Sequence, residues 1–191
     1  MFRKENDVFR EIRKQEEIIA YNELWGDFCE ENELPFLVRN GDLSRYGIYS
    51  EVERLIGTVE CSRYDFKNHD KNNYFYPYHE NKFIKHIQNE KTYEISKLLI
   101  TRDSRGQGNF KQIMLALYEH AIKNDADWYI GTINKRLYMF VRSVGFKILP
   151  LDDYFAINDH ISAVPILFDV KHGIYLMENA MEYKELVNSF K

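Results

Sequence analysis

Along this chain the spacing of apolar residues changes period several times, and each change marks an element. Residues 8–31 set Val8, Phe9, Ile12, Ile19, Leu24, Trp25 and Phe28 among charges, which predicts one or two amphipathic helices. Pro35 and Asn40-Gly41 then punctuate a loop. Residues 45–66 alternate and are rich in β-favouring side chains, with a turn at Ser50-Glu51 or its neighbours, so a hairpin is expected there. Residues 68–77 read as an irregular polar and aromatic excursion, and 83–88 as a short helix.

From Tyr93 the pattern sharpens. Tyr93 to Ile100 is apolar, β-branched and bounded by polar residues, which predicts a strand. A loop bearing Arg and Gly, Thr101 to Gly108, leads into a helix whose Phe110, Ile113, Met114, Leu117 and Ala121 fall on one face. A strand over 127–133, a helix over 135–144 and a strand over 146–149 follow. The tail predicts two strands around Lys171-His172-Gly173 and a closing amphipathic helix over 178–190. The sum is a mixed α/β domain with a strand–loop–helix–strand centre, and 191 residues without a low-complexity linker suit one domain over 1–191.

Composition narrows the function classes. A 45% hydrophobic share supports a sizeable core, and the 15% aromatic content suits either that core or an apolar pocket. The net charge of -4, with both signs interspersed, supplies no global field for nucleic acid. The charged N-terminus is unlike a signal peptide, and no run of about eighteen apolar residues is long enough to span a bilayer. A cytoplasmic protein without membrane insertion is expected. Cys29 and Cys61 make no CxxC pair, and the six histidines show no paired ligand spacing, so no metal is expected. Cys61 reads as a free buried thiol rather than a nucleophile. The aromatic residues at 74, 75, 76, 78, 154 and 155 fit an acyl tunnel or ordinary core packing equally.

The segment Ile100 to Met114 is the most informative. A strand ends, a glycine-bearing loop follows, and a helix begins at once. Glycines allow a close backbone approach, and N–H groups at a helix start can hold a phosphate. Arg105, with Arg102, can add charge-assisted hydrogen bonds. Neither a P-loop nor a GxGxxG turn is present.

Arg105-Gly106-Gln107-Gly108 resembles the pyrophosphate-binding loop of the GNAT superfamily of acyltransferases. Asn134, opening a helix that ends at Gly145-Phe146, resembles a second segment of that family. The resemblance implies a GNAT-type fold, with a mixed, mostly antiparallel sheet splayed at its central strand and flanked by helices. It further implies that Leu98, Leu99 and Ile100 pair with the donor's pantetheine arm. Arg105, Gly106, Gln107, Gly108, Asn109 and Phe110 would hold the pyrophosphate, and Asn134 would lie in the same cofactor site. Two positions depart from the pattern. Phe110 stands where the family has Gly or Ala. Val141 stands where it usually has an acidic tyrosine, and Tyr138 is expected on another helix face.

Glu94-Ile95-Ser96-Lys97-Leu98 is similar to the Glu-x-Ser-Arg segment of the acyl-homoserine-lactone and N-acyl-amino-acid synthases. Lys97 replaces the arginine, and Glu60 stands where those synthases carry one. This likeness implies an N-acyltransferase that uses acyl-CoA or acyl carrier protein and a small-molecule amine acceptor such as an amino acid. Glu94 is the first candidate for general base and Glu60 the second. Ser96 and Lys97 would face the substrate, and backbone N–H groups near Leu99 and Ile100, at a bulge, would meet the oxyanion. Two further readings remain open at this stage: an acetyl-CoA-dependent N-acetyltransferase, and a non-catalytic acyl-CoA-binding sensor.

Overall fold

The computed structural model describes residues 9–37, 41–67 and 74–179. Strand β1 (Phe9–Glu11) precedes helix α1 (Gln15–Glu31). The hairpin of β2 (Leu43–Tyr49) and β3 (Leu55–Arg63) follows, then the short α2 (Lys82–His86) and strand β4 (Thr92–Ile100). The second half runs α3 (Phe110–Asn124), β5 (Trp128–Asn134), α4 (Lys135–Ser143), β6 (Ile148–Pro150), β7 (Phe155–Ala156), β8 (Ser162–Asp169) and α5 (Val170–Asn179). The strands form one sheet in the order β1-β2-β3-β4-β5-β8-β6, with β7 also paired to β8. Every pairing is antiparallel except β4 with β5.

The sheet is covered on both faces. Helices α3, α4 and α5 lie on one, over a core that includes Tyr46, Val59, Cys61, Ile113, Leu117, Tyr129, Tyr138, Val141 and Ile166. On the other, α1 packs against β3, and the α2 region closes a smaller cluster of Tyr64, Tyr78, Ile84, Ile130 and Leu167. No described helix is long and apolar enough to cross a membrane.

Two expectations are corrected. Residues 9–11 form an edge strand rather than a helical turn, because Phe9 and Glu11 register with Ile48 and Tyr46 on β2. Arg10 stacks on the Tyr49 ring and pairs with Glu17 and Glu53, which fixes this short charged edge. In the tail, Lys171-His172-Gly173 is the first turn of α5, not a turn between strands. Asp169 accepts a hydrogen bond from the His172 N–H at 2.9 Å, as an N-cap does. Gly173 is required there, since a Cβ would meet the Phe168 ring at 2.9 Å. The closing helix expected over 178–190 lies outside the described residues beyond Asn179, and so does most of the 68–77 excursion, residues 68–73.

Candidate active site

The site is built around a break in the sheet. β4 and β5 pair only at Thr92 with Trp128, Tyr93 with Tyr129 and Glu94 with Ile130. Beyond that level, among the described residues, β5 pairs only with β8, and β4 only with β3. The β5-facing edge of β4 from Ile95 onward is therefore open. Gly131 stands at the fork, where a Cβ would come within 2.9 Å of the Ile95 carbonyl oxygen.

A bulge accompanies the break. Thr58 registers with Leu99, and Glu60 with Ser96, so Lys97 and Leu98 together face the single residue Val59. Lys97 takes φ +49°, and it is the one described non-glycine strand residue with a positive φ. Such a conformation costs roughly 1–2 kcal/mol for a residue with a Cβ. The hydroxyl of buried Thr58 donates to the Lys97 carbonyl at 2.6 Å. The bulge thus sits at Lys97-Leu98, slightly ahead of the expected Leu99 and Ile100.

The bulge sorts the side chains of β4 between the faces. Ile95, Leu98 and Ile100 pack on the α3 side. Ser96 and Lys97 both reach Glu60 on the opposite side, at 3.3 Å each. Glu60 is fully buried and also pairs with Arg45 at 3.1 Å, so one carboxylate sits between two cations. The Lys97 ammonium lies 5.5 Å from the centre of the Tyr21 ring. Glu94, at the last paired position of the fork, is 6% exposed. Next to it stands Tyr78, whose hydroxyl shares a 2.9 Å hydrogen bond with Thr132 of β5. Burial pushes the Tyr78 phenol well above its ordinary range, against the hydrogen bond with Thr132, and the charge of Glu94 adds to the rise.

On the α3 side the fork opens into a narrow apolar cavity of about 60 Å³. Leu98, Phe110, Ile133 and Leu137 stand at the end nearest the open edges, and Ala121, Tyr129 and Val170 at the other. From Phe110 to Ala121 the lining helix advances by eleven residues, about 16 Å of helix rise. The far end is fixed by polar contacts behind it: the Tyr129 hydroxyl donates to the Leu117 carbonyl at 2.9 Å and lies 2.7 Å from His120 Nδ1.

The loop between β4 and α3 is stapled by its own side chains. Arg105 Nε donates to the Ile100 carbonyl, Gln107 Nε2 to that of Asp103, and Asn109 Nδ2 to that of Ser104. Gly106 and Gly108 take φ of +75° and +80°, the conformation that glycine adopts freely. In the first turn of α3 the Lys111 and Gln112 N–H groups donate to the Gly108 and Asn109 carbonyls at 3.1 Å each. The Phe110 side chain turns away from the loop to line the cavity and meets Phe140 edge-on at 5.3 Å. Asn134 caps α4 by accepting from the Leu137 N–H at 2.9 Å.

A splayed β4–β5 pair, a bulged β4 and a glycine loop feeding α3 form one arrangement, and known structures share its frame. This is the GNAT-type fold. FeeM, an N-acyl amino acid synthase from uncultured soil microbes, superposes with a TM-score of 0.63 at 12% identity, over 87% of this chain and 92% of its own. The CoA-dependent acyl-homoserine lactone synthase BjaI gives a TM-score of 0.63 at 14% identity, over 96% and 89%. The AHL synthase LasI gives a TM-score of 0.63 at 12% identity, over 88% and 92%. No family model matches the chain, and no curated protein matches it by sequence. Identities this low establish the GNAT-type fold and leave the chemistry to the site itself.

Several expectations shift against the geometry. The aromatic residues at 74, 75, 76, 78, 154 and 155 are not in the cavity wall; Tyr76 and Tyr78 belong to the opposite face and Tyr154 meets Tyr138 edge-on. Tyr138 and Val141 share one core cluster rather than pointing apart, since three residues turn a helix by only about 60° short of a full circle. The Tyr138 hydroxyl accepts a hydrogen bond from Arg142 at 3.2 Å. Cys61 is a buried free thiol whose pKa burial pushes up. The wall of the cavity went unread because its residues come from seven elements that only folding brings together. Its small residues Gly131 and Gly173 were the available signal.

Proposed function

We propose that the protein is an N-acyltransferase that moves a medium-chain acyl group from acyl-CoA or an acyl carrier protein to the amine of an amino acid or similar small molecule. The observation that carries this reading is the apolar cavity opening at the fork, whose wall follows α3 from Phe110 to Ala121, a longer run than an acetyl group reaches. An extended amide-bearing pantetheine arm adds as a strand to the open edge of β4 at Leu98, Leu99 and Ile100. Gly106 to Phe110 offer backbone N–H groups to the pyrophosphate, with Arg105 beside them and Asn134 at the facing rim. The acyl chain then enters between α3 and the sheet, and the thioester carbonyl rests at the bulge.

The acceptor approaches from the other face, where Glu94, Ser96 and Lys97 present their side chains. Glu94 takes a proton from the amine, directly or through water, while nitrogen attacks the carbonyl carbon. The oxyanion is met by backbone N–H at the bulge. Collapse breaks the carbon–sulfur bond, and the departing thiolate is protonated by solvent. Glu60, held by Arg45, Lys97 and Ser96, anchors the acceptor side and leaves proton transfer to Glu94.

Two measurements test this. Calorimetry with acetyl-, octanoyl- and palmitoyl-CoA should show octanoyl-CoA bound more tightly than acetyl-CoA. A preference for acetyl-CoA would instead favour a simple acetyltransferase, and no transfer from CoA or carrier-protein donors would end the reading. Glu94→Gln should lower turnover about a hundredfold or more while leaving donor affinity within twofold.

A further inference from the structure

We infer that Thr58 is a positioning residue for acyl transfer, acting through the backbone of Lys97; the consequence for catalysis rests on the acyltransferase reading above. The clamp itself rests on geometry alone. Lys97 holds a left-handed conformation inside a strand, and nothing in its side chain favours that conformation as a glycine would. The chain is kept there from two ends. The Thr58 hydroxyl, completely buried, takes the Lys97 carbonyl at 2.6 Å, and Glu60 takes the Lys97 ammonium at 3.3 Å. Both anchors project from β3 across the bulge, two residues apart and on the same face.

A bulge leaves its extra residue outside the regular ladder. Here the carbonyl that would otherwise be left over is satisfied by a side chain, which fixes the peptide between Lys97 and Leu98 in one orientation. That peptide lies where β4 has left β5 and where Leu98 enters the cavity wall. A group that stabilises developing charge must be held in place before the reaction, because a donor free to rotate contributes far less. Thr58 touches no reacting atom, so its effect should fall on the chemical step rather than on donor binding.

Thr58→Val keeps the shape and removes the hydroxyl, whereas Thr58→Ser keeps the hydroxyl. In T58V, kcat should fall about tenfold or more, with donor KM and calorimetric affinity within twofold of wild type, and T58S should recover most of the rate. Amide exchange over residues 96–100 should quicken about tenfold in T58V and stay near wild type in T58S. A T58V protein with wild-type kcat and exchange overturns the proposal, as does a T58S protein as slow as T58V. If wild-type protein transfers no acyl group, the acyltransferase reading falls with the catalytic consequence, and exchange alone decides whether Thr58 holds the bulge. Should T58V fail to fold, Thr58→Cys, close in size but a weak donor, is read in its place with the same expectations.

Discussion

The two faces of the sheet meet at β4 and solve opposite problems. Toward α3, α4 and α5 the interior is apolar and incompletely filled, with a polar Tyr129–His120 contact behind the cavity end. Toward α1 and α2 the same strand buries Glu94 and also Lys97, whose charge is held against the cost of losing water by Glu60. One face therefore carries empty apolar volume at the expense of packing, and the other persists only while its charges stay matched. A strand with strict alternation would have sent Lys97 into the apolar side and Leu98 into the polar one. The extra residue of the bulge corrects this, so that the strained Lys97 is what lets a single strand serve an apolar face and a charged face.

The comparison breaks most visibly at Glu60. Glu60→Ala leaves the buried Lys97 and the largely buried Arg45 without their shared carboxylate, and such losses cost about 3–5 kcal/mol. Urea unfolding should show a drop of that order with an unchanged slope. A drop below about 1 kcal/mol would mean that water or another anion replaces the carboxylate, and that the polar face is not the closed network described above.

The apolar face answers to pH instead. Burial, with Lys123 nearby, lowers the pKa of His120 from 6.5 to about 4. The unfolded chain thus takes up a proton near pH 6.5 that the folded protein refuses until about pH 4. Stability is full above that window, falls as pH drops through it, and levels off below it. Between pH 7 and pH 5 the loss from this one group should be about 2 kcal/mol. Unfolding followed at both pH values in wild type and His120→Leu should show the difference shrinking in the variant by about that amount. An unchanged difference would place the acid sensitivity elsewhere. Tyr129 keeps its bond to the Leu117 carbonyl in either case, so the variant leaves no orphaned hydroxyl.

How much of this was legible in the sequence follows the same division. The strand–loop–helix from Tyr93 to Asn124 was readable because its periods are long and its apolar positions are consecutive neighbours on one face. The hairpin of β2 and β3 was readable for the same reason. The bulge left a trace in the adjacent polar pair Ser96-Lys97 followed by two leucines, which breaks alternation once, but the pattern alone did not fix the residue. Local cues misled at both ends of the chain. Phe9 to Glu11 carries helix-compatible spacing and is claimed by β2, and the cap at Asp169 was hidden behind a glycine that suggested a turn. The ion pairs of Glu60 were not legible, because nothing in its neighbourhood along the chain reveals Arg45 and Lys97, which arrive from different strands.

The smallest expected effect sharpens the comparison by its sign. Ala121 lines the far end of the cavity and is nearly fully buried. Ala121→Leu places added carbons into space already empty, so stability should hold or rise by about 0.5–1 kcal/mol, whereas a filled core would lose about 1–3 kcal/mol. On the proposed acyltransferase reading, the same carbons occupy the path of the acyl chain. Affinity for octanoyl-CoA should fall about tenfold relative to butyryl-CoA, and thermal unfolding beside calorimetry on the two donors reads both effects. Gain in stability with loss of the longer donor would mark the cavity as functional space, held open at the expense of packing. Loss of stability with donor preference intact would mark it as a packing defect unrelated to the fork. No substitution on the polar face offers that opposition, because there the groups that stabilise the fold and those that face the acceptor are the same.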